Sequence, residues 1–446
     1  MRSLATRYAL ATTPAEIVEV ACLTALSSLG DAQVDTLPLN NAIVQENWSG
    51  GHSPNPTWSS VGSNGILLDL RRLDSIAVSS DGSVASVGSG ARWGDVYAAL
   101  DSHDAAVIGA RLPTIGVGGS ILGGGYHHLS NEFGLAADNA KNFEVVLSNG
   151  SLVNANSGEH SDLFWALKGG GPNFGVVTRY DLYTVPVHDA WVQMTVYAPD
   201  DAPRLLSAFD EWQRSQAADS KSNADLIISL DFVVLILVCS EPRAQPPAVF
   251  QPFSAVTPFQ LAIPPTNLTL HQIMTILGST ASGTPARHDY RGHSSRIDTN
   301  LTQQVYSFWR EKALQVRQAT GASQTFVVQH VSQHLIDQAS KNGGNALALA
   351  RGPQQWWTTT IDWERAEDDD LVRSVSIEIT RKWERLARER GLHLPFVFMN
   401  DASRDQSPLA SYGLRNLQRL KQVSKLYDPS QMFQMLQNGG FLLSKS

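Results

Sequence analysis

Residues 109–139 read GARLPTIGVGGSILGGGYHHLSNEFGLAADN and contain six glycines within the ten positions 116–125. Successive backbone N–H groups in such a stretch can form an anion-binding concavity, and missing side chains allow a flat ring to lie against the backbone. Apolar residues such as Val117, Ile121 and Leu122 alternate with the glycines, which argues against a flexible surface loop. The stretch therefore predicts a buried site for a nucleotide diphosphate joined to a planar heterocycle.

Other phosphate-binding and catalytic motifs do not fit this sequence. Gly116-x-Gly118 lacks the third glycine of the dinucleotide fingerprint, and there is no Walker A pattern, which argues against a nicotinamide dehydrogenase or a P-loop enzyme. No serine nucleophile elbow is evident. The adjacent pair His127-His128 is not spaced as metal ligands, and we expect these side chains in solvent or behind the site. The sequence predicts no metal centre.

A second glycine-rich segment, ENWSGGHSPNPTWSS, covers residues 46–60. Gly50 and Gly51 allow a sharp turn and a close approach of the backbone to another molecule, which His52 would then face. Short motifs of this kind match by chance so often that an ordinary polar turn is the better interpretation of the segment taken alone.

The composition indicates a globular protein of two or three packed units. The chain has 446 residues and a net charge of −8 with no run of Lys or Arg, which argues against nucleic acid as a partner. The longest apolar run, residues 232–240, is too short to span a membrane and predicts a central buried strand. Cys22 and Cys239 are too few for a disulfide framework. The N-terminus lacks the apolar core of a secretory signal, so a cytoplasmic location is the default expectation.

The sequence pattern changes twice and divides the chain into residues 1–185, 186–395 and 396–446. The first part begins with a helix-prone segment, AEIVEVACLTALSSLG, and then shows hairpin signals at Asp81-Gly82 and Asn149-Gly150. The second part has a Pro- and Gln-rich loop at 242–265 and otherwise alternates longer strands and helices. This mixture predicts an α+β protein with an antiparallel sheet backed by helices. The strands predicted in the second part are AWVQMTVYA, LIISLDFVVLILV, QTFVVQHV and WWTTTIDW.

Six motifs occur along the chain in the order SGGHSPN, GVGGSILGGG, GLAADN, DLFWALKGGGPNFGVVT, FMNDAS and YDPSQMF. Because these motifs occur in this order, the sequence resembles the berberine-bridge-enzyme-like flavoproteins of the vanillyl-alcohol-oxidase superfamily. The resemblance is greatest to their fungal secondary-metabolism branch. The resemblance is tight over residues 46–185 and loose in the middle of the chain. It implies a two-subdomain FAD-binding domain of the PCMH type at 1–185, a substrate domain at 186–395, and a C-terminal return to the FAD-binding domain.

The resemblance implies that FAD is bound and that a ring nitrogen of His52 is bonded to the 8α-methyl group of the flavin. Relatives with a second bond carry a cysteine where this chain has Leu112, so a single bond is implied. Relatives also place a strand–helix–strand unit ahead of the Gly-Gly-His turn, whereas Trp48-Ser49 here runs directly into Gly50, so that unit is missing. The further cofactor-binding residues that the resemblance implies are Gly51, Ser53, Gly116, Gly119, Gly123, Gly171, Val177 and Asn400.

The activity implied is oxidation of a small-molecule alcohol, amine or polyketide-type metabolite, with dioxygen as electron acceptor. Asp401 is a candidate base if burial raises its pKa, although it could equally open a polar loop. Tyr126 is a candidate because it stands beside the triple glycine, and Gln329 faces either the substrate or the surface. Two alternatives stay open: a flavin-holding cyclase, and a truncated remnant that no longer binds FAD. The substrate and the oligomeric state are not defined, and relatives are often secreted.

Overall fold

The structure, a computed structural model, describes residues 7–10, 50–58, 66–215, 219–279 and 287–446. Strands of two antiparallel sheets are interspersed with helices, which confirms the predicted α+β class. The helix-prone segment near the N-terminus and the sequence just ahead of residue 50 lie outside the described residues. Within the described residues, no helix is both long and apolar enough to cross a membrane.

The strands, numbered in chain order, are β1 (Arg7–Leu10), β2 (Ile66–Asp69), β3 (Ile76–Val78), β4 (Val84–Gly88), β5 (Ala106–Val107), β6 (Ala140–Val146), β7 (Leu152–Asn156), β8 (Val176–Val185), β9 (Asp189–Tyr197), β10 (Ser222–Ser229), β11 (Val233–Cys239), β12 (Gln260–Thr269), β13 (Arg287–Ser295), β14 (Ser323–Val331), β15 (Gln354–Trp363) and β16 (His393–Leu394). The α-helices are α1 (Trp93–Asp101), α2 (Val117–Leu122), α3 (Ser130–Phe133), α4 (Ser161–Leu167), α5 (Ala202–Ser215), α6 (Leu270–Ser279), α7 (Thr299–Thr320), α8 (Gln333–Gln338), α9 (Asp369–Glu389), α10 (Pro408–Ser411), α11 (Leu414–Tyr427) and α12 (Met432–Met435). Short 3-10 turns include Ala136–Asn139 and Met399–Asp401.

The smaller sheet has the strand order β3-β4-β8-β6-β7, and β5 pairs with β8. Both predicted hairpins are confirmed, since β3 pairs with β4 and β6 pairs with β7 in antiparallel register. Each turn places its glycine at positive φ, with Gly82 at 72° and Gly150 at 80°. A residue without Cβ takes this conformation freely, which is why these two dipeptides were strong local signals.

The larger sheet has the order β12-β9-β11-β10-β14-β15-β13-β16 and is antiparallel throughout. Strand β11 lies inside it and is buried along its whole length, which confirms the predicted central strand. Its side chains alternate between two cores: Ile236 packs towards the smaller sheet, whereas Leu235 packs against the helices. The single strand predicted for LIISLDFVVLILV is wrong, because the chain turns at Leu230–Phe232 and forms the hairpin of β10 and β11.

Part of the predicted loop at 242–265 is also wrong, because β12 begins at Gln260. This strand lies at the edge of the larger sheet and pairs only with β9. Its register shifts between Ile263 and Thr266, where Pro264 and Pro265 stand. Proline cannot donate to a strand ladder, so an edge position with an irregularity accommodates it.

In helix α1 the residues that recur at helical spacing, Trp93, Val96, Tyr97 and Leu100, are buried and form its apolar face. Helix α4 begins at Ser161, and its capping position is His160 in a left-handed conformation. Helices α5, α7 and α9 pack on the rear face of the larger sheet.

Candidate functional site

A cavity of about 1000 Å³ lies between the glycine-rich stretch and the front face of the larger sheet. This volume is at the upper end of the range for small-molecule pockets, about 300–1,000 Å³. The structure brings together in its lining the implied cofactor-binding residues and the candidates Tyr126 and Asp401, but not Gln329. The lining residues are Gly51, His52, Ser53, Gly116, Gly119, Gly123, Tyr126, Gly171, Val177, Asn400 and Asp401. Their placement in one cavity makes it the candidate active site.

The Gly-Gly-His turn fits closely against the glycine-rich stretch. A Cβ atom on Gly50 would lie 2.3 Å from the backbone nitrogen of Gly116, so no side chain can be accommodated at residue 50. The next residue, Gly51, has a φ of 64°. The turn directs His52 into the cavity lining, where its Nε2 lies 3.2 Å from Oγ1 of Thr114.

The environment of His52 favours its neutral form. One side of the ring is exposed, but the protein packed around the rest desolvates it, and this lowers the pKa of the imidazole. The positive charge of Arg92 lowers this pKa further. A neutral imidazole carries an unshared electron pair on one ring nitrogen, which is the form able to make a covalent bond.

Residues near the C-terminus hold the segment that follows His52. Nδ2 of Asn438 donates to the backbone oxygen of Thr57 at 2.9 Å. The rings of Trp58 and Phe441 meet edge to face with centroids 4.7 Å apart. Because Gln437, Gly439, Gly440 and Phe441 also line the cavity, this segment, 437–441, closes one end of it.

The backbone of residues 116–125, here called the glycine wall, forms one side of the cavity. A Cβ atom on Gly119 would have no neighbour within 4 Å, so this position leaves bare backbone open to the cavity. Asn400 holds the wall from behind: its Nδ2 donates to the Gly119 oxygen at 3.0 Å, and its Oδ1 accepts from the Gly125 nitrogen at 3.0 Å. A side chain on Gly123 would displace this amide, because a Cβ there would lie 2.3 Å from Nδ2.

The candidate base Asp401 is held by the larger sheet. Its Oδ2 accepts from Nε2 of Gln329 at 2.8 Å and from Oγ1 of Thr358 at 2.7 Å. Gln329 is buried, so the alternative that it faces the protein surface is wrong. The carboxylate is therefore oriented by two donors at the side of the cavity.

Tyr126 has little capacity to accept a proton. Its hydroxyl donates to the backbone oxygen of His330 at 2.7 Å, and burial raises the pKa of the phenol. The guanidinium of Arg111 lies 5.0 Å from the ring centroid. We assign Tyr126 to the wall of the cavity as an anchor between the glycine-rich stretch and β14.

Sequence reasoning missed a buried ionic group made by Arg111, His128 and Asp225. Nη1 of Arg111 donates to Oδ1 of Asp225 at 2.8 Å, and Nδ1 of His128 lies 2.7 Å from Oδ2 of the same carboxylate. The expectation of solvent for His127 and His128 is wrong, since both are buried, and His128 lines the cavity. The one available signal in the sequence was a charged residue, Asp225, directly before the apolar run Leu226–Ile228.

The opposite side of the cavity, here called the sheet wall, is mostly apolar, although Asp225 of β10 also lines it. Alternate residues of β9, β10, β11 and β14 project from the sheet towards the glycine wall. They are Met194, Val196, Ile227, Val234, Ile236 and Val327. This surface favours an apolar ligand over one covered with hydroxyl groups.

Two features show that the cavity suits a dinucleotide with a flat ring. The bare backbone at Gly119 offers a surface against which a planar heterocycle can lie. Among the described residues, buried Oγ of Ser89 and Oδ1 of Asn55 have no hydrogen-bond partner, and both residues line the cavity. Buried polar atoms are normally paired, so these two indicate where a polar ligand binds.

Comparison with known proteins agrees with this geometry. Residues 47–156 match the FAD binding domain family. A FAD-dependent monooxygenase of Arthrobotrys oligospora is 36% identical over 397 residues, which is 89% of this chain and 77% of that protein. The structure of a C166A variant of berberine bridge enzyme superposes with a TM-score of 0.77 at 16% identity, covering 98% of this chain and 91% of that one.

The chain belongs to the berberine-bridge-enzyme-like FAD-linked oxidoreductases. Glucooligosaccharide oxidase of Acremonium strictum, whose structure concerns a 6-S-cysteinyl, 8α-N1-histidyl FAD, has the same fold, with a TM-score of 0.76 at 18% identity over 95% of this chain and 88% of that one. This berberine-bridge-enzyme-like protein is thus a FAD-binding oxidoreductase, and the cavity between its glycine wall and sheet wall fits FAD. When bound, FAD supplies a hydride acceptor next to the substrate.

Proposed function

We propose that this protein is an oxidase that holds FAD through one covalent bond from His52 and oxidises an apolar alcohol, amine or polyketide-type metabolite, with dioxygen as final electron acceptor. The observation that carries the proposal is the close fit of the Gly50-Gly51 turn against Gly116, which directs a neutral imidazole into the cavity. Leu112 also lines the cavity and has no thiol, so we propose a single bond.

The cofactor site on this chain is made mostly of backbone. Bare positions such as Gly119 would receive the flavin ring, while Asn400 keeps that backbone in place. Ser53 and Gly51 lie next to His52, where the phosphates of the cofactor would follow the ring. The unpaired oxygens of Ser89 and Asn55 would meet polar groups of FAD.

The substrate would bind between this ring and the sheet wall. Six apolar side chains and the exposed ring of Phe259 provide contacts for a hydrophobic body. Excluding water from this space strengthens every polar interaction that remains in it. We therefore propose an apolar metabolite rather than an oligosaccharide as the substrate.

The test of covalent attachment is the colour of the protein after acid precipitation. We expect the wild-type pellet to be yellow and a His52→Ala pellet to be colourless, with His103→Ala, at an exposed histidine, yellow like the wild type. A yellow His52→Ala pellet contradicts the assignment of the bond. A wild-type protein that stays colourless when produced with abundant riboflavin supports the truncated remnant. Release of hydrogen peroxide with apolar alcohols distinguishes an oxidase from a cyclase.

A further inference from the structure

We propose that His128, oriented by Asp225, is the group that accepts a proton from a hydroxyl of the substrate. This inference rests on the proposed function, because it places a substrate hydroxyl in the cavity described above. It also names the chemistry of the substrate: an apolar molecule with an ionisable hydroxyl group, such as a phenol, an enol or an alcohol under oxidation.

The imidazole of His128 is buried, with 4% of its surface exposed. Nδ1 lies 2.7 Å from Oδ2 of Asp225, and both residues line the cavity. Among the described residues, Nε2 of His128 has no hydrogen-bond partner. Leaving a buried polar atom unpaired is unfavourable, and a ligand that donates a hydrogen bond to it removes this penalty.

The charge on Asp225 fixes which ring nitrogen carries the proton. Burial alone would raise the pKa of this carboxyl, but the charge of Arg111 and the hydrogen bonds that Arg111 and His128 donate to it outweigh burial and hold the pKa below its usual range. An ionised carboxylate only accepts hydrogen bonds, so Nδ1 of His128 must be the donor. Nε2 of the neutral ring is then an acceptor, as in the carboxylate–imidazole pairs of other enzymes.

The proposed proton transfer involves only the substrate hydroxyl and the imidazole of His128. The O–H bond of the substrate breaks, the proton moves to Nε2, and the electron pair stays on oxygen. The imidazolium so formed lies beside the Asp225 carboxylate, which stabilises it. Ionisable groups near this pair in the described part of the chain include Arg111, Tyr126 and His127, whose ring centroid lies 5.6 Å from that of His128. The oxidation that follows is that of the proposed function.

Asp401 is the competing proton acceptor, and side-chain hydrogen bonds link it to the group of Arg111, His128 and Asp225. Arg111 donates to Oε1 of Gln329 at 2.7 Å, and Gln329 donates to Asp401. The Oδ2 atom of Asp401 already accepts two hydrogen bonds, whereas Nε2 of His128 accepts none among the described residues. We therefore assign the proton to His128 and treat Asp401 as a positioning residue.

The experiment is a titration of the purified protein with 4-nitrophenol, whose absorbance distinguishes the phenol from the phenolate. At a pH below the pKa of the free probe, we expect the bound probe to show the phenolate spectrum in the wild type and in Asp401→Asn. We expect His128→Gln to bind it as the neutral phenol and about tenfold more weakly, the effect of losing one good hydrogen bond. Phenolate that persists in His128→Gln and disappears in Asp401→Asn overturns the proposal.

A second measurement keeps the proposal testable if the histidine variant is unstable. If His128→Gln does not fold, Asp401→Asn, which lacks the competing acceptor, is titrated with 4-nitrophenol and with its methyl ether, 4-nitroanisole. Equal affinity for the two probes, with no phenolate formed, overturns the proposal, whereas preferential binding as phenolate supports it. The readout is the spectrum of the probe and also applies to colourless protein, so failure of this inference is distinguishable from loss of FAD.

Discussion

The two walls of the cavity are built by opposite means. The glycine wall is a surface of backbone, and its neighbours leave almost no room: Gly50 and Gly123 each lie too close to another group to carry a Cβ. The sheet wall is a surface of side chains, where residues such as Val234 and Ile236 have only to be apolar and to point forward. The glycine wall requires residues without a Cβ atom, whereas the sheet wall requires only apolar side chains, which several residue types provide. The comparison indicates that substrate preference can vary at the sheet wall while the cofactor wall stays fixed.

The largest effect is expected from Gly50→Ala. A methyl group 2.3 Å from the Gly116 nitrogen forces two backbone segments apart, and overpacking of this kind costs about 1–3 kcal/mol or more. We expect the free energy of unfolding to fall by about 3 kcal/mol and the FAD content of the purified protein to fall with it. Urea unfolding and flavin absorbance measure the two quantities.

The matched control for Gly50→Ala is Gly158→Ala, where the new Cβ would make only one ordinary contact, at 3.5 Å. We expect this change to leave stability within about 0.5 kcal/mol of the wild type. Equal stability of the two variants would show that the close contact between the two glycine segments is unimportant.

An effect on stability no larger than that of Gly50→Ala is expected from two neighbours on β11. Leu235 packs in the core between the sheet and the helices, whereas Ile236 faces the cavity. We expect Leu235→Ala to lower the free energy of unfolding by about 3 kcal/mol and Ile236→Ala by about 1 kcal/mol, because the second site already borders open space. Only Ile236→Ala should raise KM for an apolar substrate. A larger loss of stability in Ile236→Ala would contradict the assignment of the two faces.

A further effect, which depends on pH, concerns His330 on the rear face of β14. Burial lowers the pKa of this imidazole from 6.5 to about 3. Between these values the unfolded chain binds more protons than the folded one, so stability falls as the pH drops below 6.5. Between about pH 6.5 and pH 5, we expect the wild type to lose about 1.6 kcal/mol more than His330→Gln, because the slope approaches 1.36 kcal/mol per pH unit only below pH 6.5. Urea unfolding across this range measures it, and parallel curves for the two proteins would refute the prediction.

Elements with local signals could be predicted from the sequence. The two hairpins were predicted because Asp81-Gly82 and Asn149-Gly150 determine their turns within a few residues. Strand β13 was missed because its sequence, RHDYRGHSS, is polar, and its strand conformation comes from pairing with β15 about seventy residues further along the chain.

The distinction between local signals and long-range contacts also applies to the site. The glycine wall and the turn before His52 are contiguous motifs, so they could be recognised, and the structure places them in one cavity. Arg111 and Asp225 are 114 residues apart and meet only when the larger sheet docks on the glycine-rich stretch. No spacing rule in the sequence connects them, so His128 was assigned to the solvent or to a supporting role. Its burial and its unpaired nitrogen are properties of the folded chain alone.

The contact between Trp58 and Phe441 has a consequence for how the enzyme matures. The segment that holds the turn of His52 in place is translated hundreds of residues after that turn. The histidine therefore reaches its final position only after residue 441 has been made. The proposed flavin attachment should occur only after that point, and nascent chains stalled before residue 437 should carry no flavin.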